Sequence, residues 1–217
     1  MRFATPDFER SLMQPGAVVV GMDEVGRGSI AGPVAVGAAT AGTGVPPTGL
    51  ADSKLLSPRR RAEVFAAAAQ WSRPCAVGFA SAAEVDAVGI SGALQLAGLR
   101  ALEVIVRAVP AVSTVLLDGS VDWLTPRADL FADEDLPCRF ARVGDPRVVT
   151  RIKADQECTV VAAASIVAKV ARDHLMEALP DPGYSWASNK GYGSSAHRGA
   201  VASFGPSPLH RLSWKLG

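Results

Sequence analysis

The chain has 217 residues, of which 48% are hydrophobic and 20% charged. A single domain of that length, with at most a small appendage, buries roughly 70% of its unfolded surface, which excludes both a disordered polymer and a scaffold that needs disulfide staples. With 22 Lys and Arg against 21 Asp and Glu, the net charge of +1 excludes binding to polyanions by bulk charge alone, so any nucleic-acid role has to come from segregated charge.

The N-terminus, Met1 to Gly16, carries Asp7 and Glu9 and no apolar stretch of signal-peptide length. No apolar run elsewhere approaches the ~20 residues of a membrane span. Cys75, Cys138 and Cys158 lack the close spacing of zinc or redox motifs, so a reducing, cytoplasmic setting is expected. Ala17 to Val20 and Pro33 to Ala39 read as strands, with Gly26 to Gly32 as the turn between them. Ser57 followed by Pro58 opens a helix running to about Trp71. Ala76 to Ala80 is expected to be a third strand, and Ser81 to Glu84 has capping-box spacing for a short helix. Apolar residues recur at helical spacing over Ser91 to Ala108; Thr114 to Leu117 is a short apolar strand ending at Asp118-Gly119, and Cys138 to Val143 is a candidate strand. From about Glu157 to Leu175, Val160, Ala164, Val167 and Ala171 form one apolar face, and the many alanines let this helix lie close to a sheet. A last helix is expected from Ser195 to Phe204. Strands come first as a meander and then alternate with helices, which predicts an α/β fold with a mixed sheet.

The chemistry concentrates in Gly21-Met22-Asp23-Glu24-Val25-Gly26-Arg27-Gly28-Ser29-Ile30-Ala31-Gly32-Pro33, where two adjacent carboxylates leave a strand and enter a glycine-rich turn. Adjacent strand residues point to opposite faces, so both acids are expected to reach one site only through a backbone bend. Gly26 and Gly28 would permit it and let backbone amides approach an anion. Asp118 lies at a strand end, and Asp155 just before the alanine-rich helix. Each acid alone is more often a solvated turn or helix-end residue; together, at element ends, they form a carboxylate cluster if the fold gathers them. Four carboxylates about 5 Å apart repel by roughly 3 kcal/mol per pair at an effective dielectric of ~20, so they require cations. Oxygen-only ligands suit Mg²⁺ or Mn²⁺, and a pair of such ions supports phosphodiester hydrolysis.

These stretches resemble bacterial type 2 ribonuclease H, the ribonuclease HII family, over Val18 to about Trp214. Beside Gly21 to Val34, the resemblance rests on Asp52-Ser53-Lys54, Leu117-Asp118-Gly119, Lys153-Ala154-Asp155, the run Ala163 to Asp173, and Lys190-Gly191-Tyr192-Gly193 with His197. It implies a ribonuclease H-like fold, a mixed central sheet flanked by helices, with a catalytic domain over residues 1–180 and a small helical C-terminal segment over 181–217 that contacts substrate. It also implies a monomeric endonuclease acting on RNA/DNA hybrids and on ribonucleotide-containing duplex DNA, leaving 3'-hydroxyl and 5'-phosphate ends. By that analogy Asp23, Glu24, Asp118 and Asp155 hold the divalent ions, and Gly26, Arg27 and Gly28 sense the 2'-hydroxyl. Tyr192 would stack on the neighbouring deoxynucleotide sugar, and Lys54 and Lys190 would contact phosphates. The chain departs from the family pattern at Ser91, at Leu55 and in the tail His210-Arg211-Leu212-Ser213-Trp214.

Charge is segregated to match: Arg139 to Lys153 has five basic residues and one acid, and no acid follows Asp181. Asp133-Glu134-Asp135 lacks a glycine turn and reads as an exposed loop, while His174 continues the apolar side of its helix and reads as a packed or capping residue rather than a base. Two rivals stay open on residues alone: a nuclease of the same fold with another substrate, and a non-catalytic module whose glycine turn only holds phosphate.

Overall fold

The computed structural model describes residues 4–42, 44–50, 57–126 and 135–216. Five strands form one sheet in the order β3-β2-β1-β4-β5, with β1 Val18–Val25, β2 Val34–Thr40, β3 Cys75–Ala80, β4 Val112–Asp118 and β5 Arg147–Arg151. The first three pair antiparallel as a meander, and β4 and β5 run parallel to β1. This is the mixed sheet expected. It sets the ends of β1, β4 and β5 side by side at one edge, where α/β folds place their sites.

Helices cover both faces. On one lies α3, Ala82–Ala108, whose Leu94, Leu99, Leu102 and Ile105 pack with Met22, Val36 and Leu117. The expected capping box opens it: the Glu84 amide donates to the Ser81 hydroxyl and the Ser81 amide to the Glu84 carboxylate. The short and the long helix expected there meet at a kink at Gly89. Among the described residues α3 is the one helix long and apolar enough to cross a membrane, and it is a core helix.

On the other face α6, Thr159–Ala178, lies directly on β1 and β2. A Cβ at Gly21 would stand 2.5 Å from the Val160 carbonyl carbon, and one at Gly37 would stand 2.2 Å from the Ala164 oxygen. The two glycines, Gly37 with Ala164 and Ala168 facing it, are what allow this approach. Outside α6 lies α2, Pro58–Trp71, capped by Ser57 as expected. A short α1, Asp7–Leu12, docks against the start of α6, where buried Glu9 accepts from the Thr159 hydroxyl and the Val160 amide. This side-chain cap on the helix N-terminus was not anticipated from sequence.

Three readings are corrected. Cys138 to Val143 is not a strand: α4, Asp135–Arg142, occupies it, because buried Leu136 and Phe140 recur four apart rather than alternating. Arg147–Arg151, read only as a basic run, is the edge strand β5; with one neighbour and half-buried side chains it shows no alternation. His174 is exposed, so of the packed and capping readings the packed one does not hold.

Between β5 and α6 the chain turns through Lys153, in the left-handed region at φ 61°, into the short α5, Ala154–Glu157. After α6 come α7, Trp186–Asn189, and α8, Ser195–Phe204, the latter matching its expected bounds. Tyr184, Trp186 and Val201 pack on Ala31 and Met176, so the C-terminal segment shares a core with the rest.

Candidate active site

The register sets the geometry. Met22 pairs with Leu117 across the parallel β1 and β4, and both side chains enter the α3 core. The next residues, Asp23 and Asp118, therefore stand at one level on the opposite face, on neighbouring strands about 5 Å apart. On its other side Asp23 pairs with Gly37, whose missing side chain leaves α6 close overhead. Ser165 of α6 hydrogen-bonds to the Asp23 carboxylate. Asp155 is buried in the first turn of α5, and its amide donates to Asp118 Oδ1 at 3.3 Å.

Glu24 arrives differently. β1 continues through both acids to Val25, so Glu24 leaves the opposite face of the strand, and the expected bend follows at Gly26, in the left-handed region at φ 82°. Its carboxylate accepts from Arg27 Nη1 at 3.2 Å, and its amide donates to Asp23 Oδ1 at 2.8 Å. Both acids nevertheless line one cleft of about 210 Å³, together with Gly26, Arg27, Gly28, Ser165, Lys169 and Tyr192. At the end of a strand the longer glutamate reaches the shared opening.

Burial pushes the Asp23 carboxyl up to about 8, with Glu24, Asp118 and Asp155 adding to the rise and the Ser165 hydrogen bond opposing it. Asp23 thus lies near enough to feel each of the other three acids. Among the described residues no three acidic, histidine or cysteine groups already stand close enough to cage an ion. Glu24 is turned onto Arg27, and Asp118 onto the Asp155 amide. The donors are all oxygen and they crowd a buried carboxyl with like charge, a set that fits a hard divalent cation.

Two arginines that sequence reasoning had not placed at the site hold the glycine turn. Arg211 and Arg172 are both 0% exposed. Arg211 Nη1 donates to the Arg27 carbonyl at 2.8 Å and Nη2 to the Gly26 carbonyl at 2.7 Å. In a trans peptide the N–H points opposite to the C=O, so pinning these carbonyls turns the Arg27 and Gly28 amides toward the cleft that both residues line. Arg172 binds the Pro33 and Lys190 carbonyls and the Ser29 hydroxyl, and its guanidinium carbon lies 5.4 Å from the centre of the Tyr192 ring. Burial lowers the pKa of both, that of Arg211 to about 10. Gly26, at φ 82°, sits so close to Arg172 that a Cβ there would stand 2.0 Å from Nε.

Tyr192 is 39% exposed and faces the glycine turn, tied to it by a bridge between Ser29 and Tyr192. The Lys190 ammonium is bound to Glu177 at 2.6 Å. Lys54, with Asp52 and Ser53, lies outside the described residues, as do Asp133 and Glu134. Arg139 is paired with Glu103 and Arg151 with Glu157, so the basic run supplies less free charge than its count suggests. Ser165 and Lys169 were missed as cleft residues. Their signal was available: a hydroxyl and an ammonium four apart interrupt the apolar alanine-rich helix.

Comparison with known proteins bears on this arrangement. The ribonuclease HII family model matches residues 20–217. Ribonuclease HII of Streptomyces avermitilis is 44% identical over 216 residues, covering 97% of this chain and 83% of the relative. That of Thermus thermophilus is 39% identical over 205 residues, covering 94% and 89%. Among solved structures, the PCNA–ribonuclease HII complex from Archaeoglobus fulgidus aligns with a TM-score of 0.65 at 27% identity, over 92% of this chain and 96% of that one. The Bst ribonuclease HIII complex with Mn²⁺ shares the fold at a TM-score of 0.58 and 21% identity, over 93% of this chain and 68% of that one.

Proposed function

The chain belongs to the ribonuclease HII family and is an endonuclease that cleaves RNA in RNA/DNA hybrids and at ribonucleotides embedded in duplex DNA; we propose that Asp23, Glu24, Asp118 and Asp155 carry that hydrolysis. The observation that supports this most is the placement of Asp23 and Asp118 at one level of adjacent parallel strands, with the Asp155 amide on Asp118.

These four carboxylates would hold Mg²⁺ or Mn²⁺, two ions in the active complex; Mn²⁺ is the ion bound in the ribonuclease HIII relative. Bound there, such ions supply an activated water and neutralise charge on the departing 3'-oxygen. The protein's own part is to hold the acids in place. Ser165 orients Asp23, the Asp155 amide orients Asp118, and Arg27 restrains Glu24.

Substrate reading falls to the opposite wall. The Arg27 and Gly28 amides, turned outward by Arg211, are donors placed to meet a 2'-hydroxyl, the group that distinguishes RNA from DNA. Tyr192 offers its ring to the next sugar. Lys54 and Lys190 are the proposed phosphate contacts, and Lys190 has to release Glu177 to serve as one. The substrate-facing C-terminal segment, 181–217, contributes Tyr192 and Arg211. We place the enzyme in the reducing cytoplasm, acting as a monomer, with its three cysteines as free thiols.

The test is a duplex carrying one embedded ribonucleotide, incubated with and without divalent metal. Incision is expected on the 5' side of that ribonucleotide, only with metal. Asp118→Asn is expected to lower the cleavage rate at least ~10³-fold while substrate affinity changes by less than about twofold. Normal cleavage by that variant in Mg²⁺ refutes the assignment.

A further inference from the structure

Bonded to the backbone of Tyr192 is a buried imidazole pair for which hydrolysis has no use. His197, in the first turn of α8, is 0% exposed, and His210, in the tail, is 1% exposed. Their Nε2 atoms are 3.1 Å apart. The Tyr184 ring stands edge-on, 4.7 Å from that of His210, and its hydroxyl is committed to the Gly205 carbonyl.

The proton on each ring follows by elimination. The Ser207 amide can only donate, and it lies 2.9 Å from His210 Nδ1, so that nitrogen accepts. His210 therefore carries its proton on Nε2 and donates to His197 Nε2. That leaves the His197 proton on Nδ1, 2.9 Å from the Tyr192 carbonyl. The chain of donors runs one way, from Ser207 through both histidines to the backbone of Tyr192.

Two backbone bridges close this chain into a ring. Ser29 pairs with Tyr192, and Ala31 with His210, so both ends of the imidazole pair are fastened to the exit of the glycine turn. Tyr192 itself lies between α7 and α8, outside any regular element, where its amide donates to the Asn189 carbonyl and its carbonyl also accepts from the Ser194 amide. Among the described residues the imidazole pair is what ties that carbonyl back to the tail, while the neighbouring Gly191 carbonyl accepts from the Ile30 and Ala31 amides.

We infer that His197 and His210 are positioning residues that set the separation between Tyr192 and the Gly26–Gly28 turn, and thereby the preference for a ribonucleotide followed by a deoxynucleotide over continuous RNA. The inference rests on the reading of Tyr192 and the glycine turn given above. One wall element reads the ribose and the other the next sugar, so a fixed span between them is what makes the junction, rather than either sugar, the recognised unit.

The experiment compares kcat/KM on a duplex with one embedded ribonucleotide and on a continuous RNA/DNA hybrid, and takes the ratio. Tyr192→Ala is expected to lower that ratio about tenfold, and His197→Leu by a comparable factor. His197→Asn, whose amide nitrogen replaces Nδ1–H, is expected to restore most of it. The double variant His197→Leu/Tyr192→Ala is expected to fall no further than Tyr192→Ala alone, because the histidine acts through the tyrosine. The inference is overturned if His197→Leu leaves the ratio unchanged, slows both substrates equally, or multiplies the loss in the double variant. If Tyr192→Ala keeps the wild-type ratio, the reading of Tyr192 itself fails, and the inference with it. Should His197→Leu not fold, His210→Leu carries the comparison, with an expected loss of about threefold; an unchanged ratio there overturns the inference equally.

Discussion

Asp23 is where the demands of folding and of the proposed hydrolysis oppose each other. An unfolded aspartate titrates near 3.8, whereas burial and its like-charged neighbours hold this one near 8. Between those values the native, metal-free protein keeps a proton that the unfolded chain releases. The stability linked to Asp23 is therefore present below pH 3.8 and is lost as pH rises toward 8, a change on the order of a few kcal/mol. In a chelator, the unfolding midpoint is expected to fall between pH 5 and pH 8, and Asp23→Asn to flatten that dependence and exceed the wild type at pH 8 while cleaving nothing. Thermal melts across that range decide it, and a variant no more stable than wild type at pH 8 contradicts the account. Arg211 makes the converse case, since its buried guanidinium satisfies several turn carbonyls at once. Arg211→Gln leaves acceptors unpaired and is expected to cost about 3 kcal/mol in denaturant unfolding, with a loss of kcat/KM beyond what the lower stability explains. The sequence displayed Arg211 as an ordinary basic residue of the tail, because nothing local marks a cation as buried.

At the scale of elements, the site depends on how near α6 comes to the sheet. That distance is set by Gly21 and Gly37 meeting Val160 and Ala164. Gly37→Ala puts a methyl 2.2 Å from a helix carbonyl oxygen, so the helix has to lift and carry Ser165 away from Asp23. A destabilisation of about 2 kcal/mol is expected, with a drop in kcat and little change in KM. An unchanged kcat separates the packing from the chemistry and contradicts this coupling. Periodicity made α6 and α8 legible, and the apolar strands β1, β2 and β4 with them. It misled at α4, where Leu136, Phe140 and Val143 are too few to declare a helix, and it was silent at β5, an edge strand whose polar residues carry no period.

Over the whole molecule, the C-terminal segment joins the body through an apolar cluster. Tyr184, Trp186 and Val201 complete the packing around Ala31 and Met176, and the tail supplies the Arg211 bonds to the glycine turn. A chain ending at residue 180 is expected to lose cleavage entirely and to melt in a broad, low-temperature transition, as followed by circular dichroism. A cooperative melt of that fragment would show the body to be self-sufficient. The separated charges act at the same scale, but several of the cations are already committed inside the protein, Arg139 to Glu103 and Lys190 to Glu177.

Local chemistry along the chain was enough to determine the α/β class, the mixed sheet and the family resemblance, and to single out the four acids proposed for the site. Apolar periodicity, glycine placement and motif spacing are written in neighbouring residues. The convergence of the acids was not written there, because it follows from strand order and register: Asp23 and Asp118 share a level only once β4 is laid parallel beside β1. The straight path of β1 through Glu24, the two buried arginines behind the glycine turn and the histidine pair behind Tyr192 were likewise decided by tertiary structure. A polar side chain's partner and its burial depend on which distant segment packs over it, and that is a property of the folded whole.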